Sequence, residues 1–169
     1  MVEQAVHVWD VLHWLAGGPP SRAFGVGRRD VFAVPGRDVT DWYTAQLDWD
    51  HGFHAMLVHS WIDPADDAFT GVSQKIVGTA GGFDLSTGVV TFRDKARSRM
   101  TIQPGNLPET KLALSAFLAS VRSPEPLTPP ILLEDARDAV ITGLLVRKAV
   151  DERRVVTRDE ILSAEKGVA

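Results

Sequence analysis

Glu3, His7 and Asp10 are separated by four and three residues, and Trp14 follows four further on. At about 100° per residue of an α-helix, all four fall within roughly 60° of one another. Two carboxylates and an imidazole then share one narrow stripe. A carboxylate one turn before an imidazole can accept a hydrogen bond from one ring nitrogen, fix the tautomer and stabilise the imidazolium. The other nitrogen is left free as a general acid or base. The same spacing also describes a solvated pair on the polar face of a helix, and spacing alone does not separate the two.

Other chemistry-bearing clusters are weaker. Asp50, His51, His54 and His59 are metal-ligand types. In a strand, however, residues 51 and 54 point to opposite faces and do not converge. Asp63, Asp66 and Asp67 lack the central glycine and closing glutamate of a calcium loop. Gly25-Val26-Gly27 has the opening of a dinucleotide loop, but Arg28, Arg29 and Asp30 follow where a third glycine and a helix are needed. A strand is the better reading. Gly78 to Gly82 joins two strands, which suits a tight turn. No Gly-x-Ser-x-Gly elbow occurs.

The candidate stripe needs a helix over residues 3–15, whose other face carries Ala5, Val8, Leu12 and Leu15 at helical spacing. Gly17, Gly18, Pro19 and Pro20 end it. Residues 21–93 read as strands. Tyr43, Ala45, Leu47 and Trp49 alternate with polar residues, and Asp50-His51-Gly52 turns the chain into residues 53–62. That strand is apolar on both faces, with Phe53, Ala55, Leu57 and Trp61 one way and Met56, Val58 and Ile62 the other. Residues 74–78, 83–85 and 89–92 are further strands, the last two joined by a Ser86-Thr87-Gly88 loop. Residues 63–71 form a polar loop. An Asn106–Glu109 capping pattern predicts a helix to about residue 121, and four prolines in residues 123–130 predict a rigid connector. A second helix is expected over 133–150, then an edge strand at Val155 and Val156 and a capping box from Thr157 to Glu160. The expected fold is therefore a single α+β domain over residues 1–169, an open, mostly antiparallel sheet with helices packed on one face.

The bulk properties agree with a globular domain. The chain has 169 residues, is 44% hydrophobic and 24% charged, and carries a formal charge of −4 from 18 basic and 22 acidic residues. Weak acidity argues against a nucleic-acid partner. With no cysteine, disulfides, thiolate metal sites and thiol nucleophiles are excluded. The longest apolar stretch, near residues 139–146, is interrupted by Thr142 and Gly143 and is far short of the roughly 20 residues of a membrane span. The N-terminus has no basic region of a signal peptide, and a cytoplasmic location is expected.

Four landmarks in order give the chain a resemblance. Residues 3–10, Glu-Gln-Ala-Val-His-Val-Trp-Asp, followed by Leu12 to Gly18, resemble the acid-x-x-x-His-x-x-Asp helix of the Gfo/Idh/MocA oxidoreductases. The strand pair around Tyr43 and Phe53 with its turn Gly52, the Gly78-Thr79-Ala80-Gly81 turn, and the proline connector leading to Leu133–Val140 and Arg153-Arg154-Val155-Val156 are similar to the C-terminal half of that family. The resemblance implies the substrate and oligomerisation half of an NAD(P)-dependent dehydrogenase of sugar- or polyol-like compounds. It makes His7 the proton-transferring residue, Glu3 its orienting carboxylate, and Asp10 a substrate contact. The family's Rossmann domain, with its glycine loop and lysine, has no counterpart in these residues, and Glu3 stands where the family more often has Asp. The chain alone is thus expected to bind no cofactor and no metal, with NAD(P) supplied if a separate Rossmann-domain polypeptide completes it.

Three functions compete at this level. The first is the substrate half of an oxidoreductase. The second is a non-catalytic scaffold that self-associates through the open sheet face as a homo-oligomer. The third is a cofactor-independent lyase or hydratase using His7 as base.

Overall fold

The computed structural model describes residues 4–32, 35–64, 66, 69, 71–103, 108–123 and 132–166. The chain divides into two compact units, residues 1–63 with 129–169, and residues 64–128. The boundaries fall at the polar loop and in the proline connector that the composition marks. The connector, residues 124–131, and the expected Asn106 cap lie outside the described residues.

The first unit contains α1 (Val6–Ala16), β1 (Arg22–Arg28), β2 (Trp42–Asp48) and β3 (His54–Ser60). The second holds β4 (Lys75–Val77), β5 (Gly81–Asp84), β6 (Val89–Phe92), β7 (Met100–Thr101) and α2 (Glu109–Arg122). The chain then returns to the first unit as α3 (Leu133–Glu152), β8 (Val156–Thr157) and α4 (Arg158–Lys166). The fold is α+β, and its strands form two antiparallel sheets, β3-β2-β1-β8 and β4-β5-β6-β7.

In the first unit, period-two alternation sets the faces. Ala23, Tyr43, Ala45 and Leu47 are buried, and α3 covers them with Ile141, Leu145, Val146 and Val150. The opposite face keeps apolar residues in solvent: Phe24, Val26, Met56 and Val58 are exposed, the last two at 86% and 71%. The helices thus lie on one side of this sheet. The Gly25-x-Gly27 pair is a packing device in mid-strand. A Cβ on Gly25 would lie 2.7 Å from Val150 Cγ2 and 2.8 Å from the Thr44 carbonyl oxygen, so the missing side chains let α3 approach β1 closely.

α1 packs on α3. Its buried side centres on Ala5 and Trp9, with Val8, Leu12 and Ala16 against the same core, while Leu15 is 44% exposed. The expected stripe is therefore turned towards Trp9, on the side where α3 lies. Gly17 (φ 78°) ends the helix, and the Gly18 N–H returns to the His13 carbonyl at 2.9 Å.

In the second unit, Gly88 (φ 68°) serves the β5–β6 turn, where Asp84 accepts from the Ser86 N–H at 3.0 Å. α2 starts at Glu109 after Pro108 and carries no side-chain cap. At the C-terminal end one half of the expected capping box forms: the Thr157 N–H donates to Glu160 Oε1 at 3.0 Å.

Candidate functional site

The polar stripe of α1 faces solvent. His7 is exposed, Asp10 is half-buried and Trp14 is 87% exposed. Glu3 lies outside the described residues, and the expected Glu3–His7 contact lies there with it. The His7 backbone N–H donates to the Gln4 carbonyl at 3.3 Å. Its imidazole makes no hydrogen bond or ion pair with another described residue.

Asp10 opens onto a cleft of about 550 Å³ that it lines with His13, Trp14, Asp135 and Asp138. His13 is one turn beyond Trp9 and therefore points inward. Its Nε2 lies 2.9 Å from Thr142 Oγ1 of α3. Burial holds the imidazole below its ordinary pKa, against the opposing pull of Asp138 and Asp10. Thr142, the polar interruption in an apolar helix, is thus the partner of a histidine on the facing helix. Asp138 is taken by Arg158, and Asp135 accepts from the Leu132 N–H at 2.9 Å.

A second cleft, of about 540 Å³, lies at the amino end of α1, where Gln4 forms part of its wall. Arg29, Arg37, Arg147, His59 and Trp61 converge on it. These residues come from the loop after β1, from α3 and from the end of β3. His59 stacks on buried Tyr43 with ring centroids 5.4 Å apart and meets Trp61 edge-on at 5.8 Å. Burial pushes the His59 pKa down and the Tyr43 hydroxyl up. The loop is held by Asp41, which is fully buried, accepts from the Val31 N–H at 2.9 Å and forms an ion pair with Arg37 at 2.8 Å. Sequence reasoning passed over the arginines. One local signal existed, the Arg37–Asp41 spacing of four; the meeting with Arg147 depends on the fold.

The remaining histidines do not converge. His51 Nε2 lies 2.9 Å from the Ala16 carbonyl, and His54 Nδ1 lies 2.7 Å from Asp48 Oδ1. Among the described residues, no three acidic or imidazole groups are placed to hold a metal ion. The Gly25-x-Gly27 pair does not form a dinucleotide loop. Gly25 and Gly27 lie inside β1 under Val150, and the first turn of α4 is closed by its own Glu160. No described glycine turn leads from a strand into a helix N-terminus, which pyrophosphate recognition requires.

Residues 1–84 match the GFO/IDH/MocA C-terminal domain. This segment belongs to that family. It contains the α1 helix with its His7 and Asp10 and the whole β1–β3 meander, so the match covers the elements that build both clefts except α3. The fold of the Gfo/Idh/MocA C-terminal domain extends over nearly all of the chain. A putative NADPH-dependent oxidoreductase from Desulfitobacterium hafniense superposes with a TM-score of 0.72 at 19% identity, over 94% of this chain and 48% of that one. An oxidoreductase from Agrobacterium radiobacter, in complex with NAD+, L-tartaric acid and magnesium, gives 0.71 at 16% identity over 94% and 49%. A scyllo-inositol dehydrogenase from Lactobacillus casei, with NAD(H) and scyllo-inositol, gives 0.64 at 20% identity over 92% and 47%. The chain therefore spans about half the length of these structures. No curated protein matches the sequence. No helix among the described residues is long and apolar enough to cross a membrane.

Proposed function

We propose that the chain is the substrate-binding and oligomerisation half of an NAD(P)-dependent oxidoreductase acting on a sugar- or polyol-like hydroxyl compound, working in the cytoplasm. The observation that carries this reading is the match of 94% of the chain to about half of an oxidoreductase. The nucleotide-binding part is a Rossmann domain outside these residues, and the two units of this chain act together as one domain. In this reading the exposed stripe of α1 and the cleft at its amino end form the wall against which substrate lies. His7 exchanges a proton with a substrate hydroxyl, Glu3 orients its ring, and Asp10 contacts substrate. The exposure of His7, whose ring pairs with no other described residue, suits such a role, since a histidine that must meet a ligand cannot be used up in packing.

Self-association belongs to the same proposal. Phe24, Val26, Met56 and Val58 form an apolar patch on the uncovered sheet face, and monomers rarely leave large patches open. A second copy on this face, in a symmetric pair, is the simplest cover.

A second reading is favoured by the same patch: a non-catalytic scaffold whose only task is association. Ligand-observed NMR separates the two. Inositol and sorbitol should each give saturation transfer from the wild-type chain, weakened by His7→Gln and Asp10→Asn, while calorimetry detects no NAD or NADP binding by the chain alone. A dimeric chain that binds no polyol favours the scaffold. Micromolar nicotinamide binding by the isolated chain overturns the half-enzyme reading.

A further inference from the structure

The cleft at the amino end of α1 carries more positive charge than a neutral polyol needs. Arg29 and Arg147 both approach a single carboxylate, Asp151: Arg29 pairs with it directly and Arg147 Nε stands 3.7 Å from its Oδ2. One aspartate cannot neutralise two guanidiniums. The 3.7 Å separation is also beyond hydrogen-bond distance, so Arg147 keeps its donors unused, and its side chain is 59% exposed. Arg37 is fixed differently, against buried Asp41 and the Phe32 carbonyl, so it does not compete for Asp151. Asp38 also lines the wall, but it is exposed and pairs with none of the three arginines.

The rest of the wall suits a small hydroxylated ligand. Trp61 and Phe32 are 49% and 45% exposed and offer flat apolar surfaces. His59 is held by ring packing, and its nitrogens make no hydrogen bond with a described residue. A volume of about 540 Å³ lies within the usual range for small-molecule pockets. A planar guanidinium with free donors matches a carboxylate two bonds at a time.

We propose that this cleft binds a polyhydroxylated carboxylate, a sugar acid, with Arg147 and Arg29 gripping the carboxylate and Trp61 flanking the carbon chain. The assignment rests on the reading of the cleft as substrate wall and adds the charge of the ligand. Asp151 then acts as a positioning residue: it holds the two arginines side by side in the empty cleft and weakens their pull on an anion.

The test compares D-gluconate with sorbitol, which differ by carboxylate against hydroxymethyl at one end. The readouts are the His59 ring and Trp61 indole NMR signals of the full chain. Gluconate should shift both at concentrations at least tenfold below those at which sorbitol does. Arg147→Gln should abolish the difference between the two ligands. Asp151→Asn should tighten gluconate several-fold, an effect that a merely structural role for Asp151 would not produce. Thermal melts of both variants confirm that they are folded, and a variant that is not folded is replaced by Arg29→Gln, for which the same loss of preference is expected. Equal responses to the two ligands would overturn the carboxylate assignment and leave the polyol reading standing. No response to either would overturn both. The same shifts with inorganic phosphate alone would mean a site for any anion, and that too overturns the proposal.

Discussion

Replacing Gly25 by alanine probes the contact on which the first unit is built. The added Cβ would stand 2.7 Å from Val150 Cγ2 and 2.8 Å from the Thr44 carbonyl oxygen, where ordinary contact begins at 3.4 Å. The other methyl of the same valine, Cγ1, stands 3.0 Å from where a Cβ on Gly27 would lie. The carbonyl belongs to the neighbouring strand and cannot turn at all. Overpacking of this kind costs about 1–3 kcal/mol. Loss of glycine's freedom in the unfolded chain returns about 0.4–1 kcal/mol, which leaves a net loss centred near about 1.3 kcal/mol. For a chain of this size that corresponds to a fall in Tm of roughly 3–5 °C. Thermal unfolding followed by circular dichroism measures it. In a Val150→Ala background part of the clash is gone, so the same substitution should cost at least about 0.5 kcal/mol less. An unchanged Tm for Gly25→Ala, or strictly additive losses in the double variant, would refute the argument that these glycines exist for helix–sheet approach.

The other expectations concern the contact of α1 with α3, the buried histidines and the open sheet face. Thr142→Ala should leave His13 without its partner and destabilise the fold by about 1 kcal/mol, read as a lower urea midpoint. Because burial lowers the folded-state pKa of His13 and of His59, the unfolded chain takes up their protons first. Stability should therefore be complete above the unfolded value of about 6.5 and decline as the pH falls below it, and His13→Gln should flatten that decline. A pH-independent midpoint between pH 7 and 5 would contradict it. Light scattering at micromolar concentration should give at least a dimer, and Val58→Asp should give a monomer that still melts cooperatively, at a somewhat lower temperature; a monomeric wild type would remove the proposed interface.

What the sequence determined by itself is what depends on near neighbours. Helical spacing and the Gly17 stop located α1 to within a few residues, alternation located β2, and the Thr157–Glu160 pair marked the start of α4. All of these rest on hydrogen bonds and burial repeated within one or two turns, so they leave a periodic trace. The stripe of His7 and Asp10 was legible for the same reason. Its chemistry was not, since an exposed imidazole looks alike in a site and on an idle surface. The tertiary structure decided the rest. Trp9 rather than Leu15 became the anchor of α1 because α3 lies on that side. His13 found Thr142 129 residues away, and Gly25-x-Gly27 proved to be room for Val150 rather than for a phosphate. Arg29 and Arg147 came to share Asp151. Each of these depends on which element packs against which. Nothing in the local spacing of a chain records a contact closed through the core.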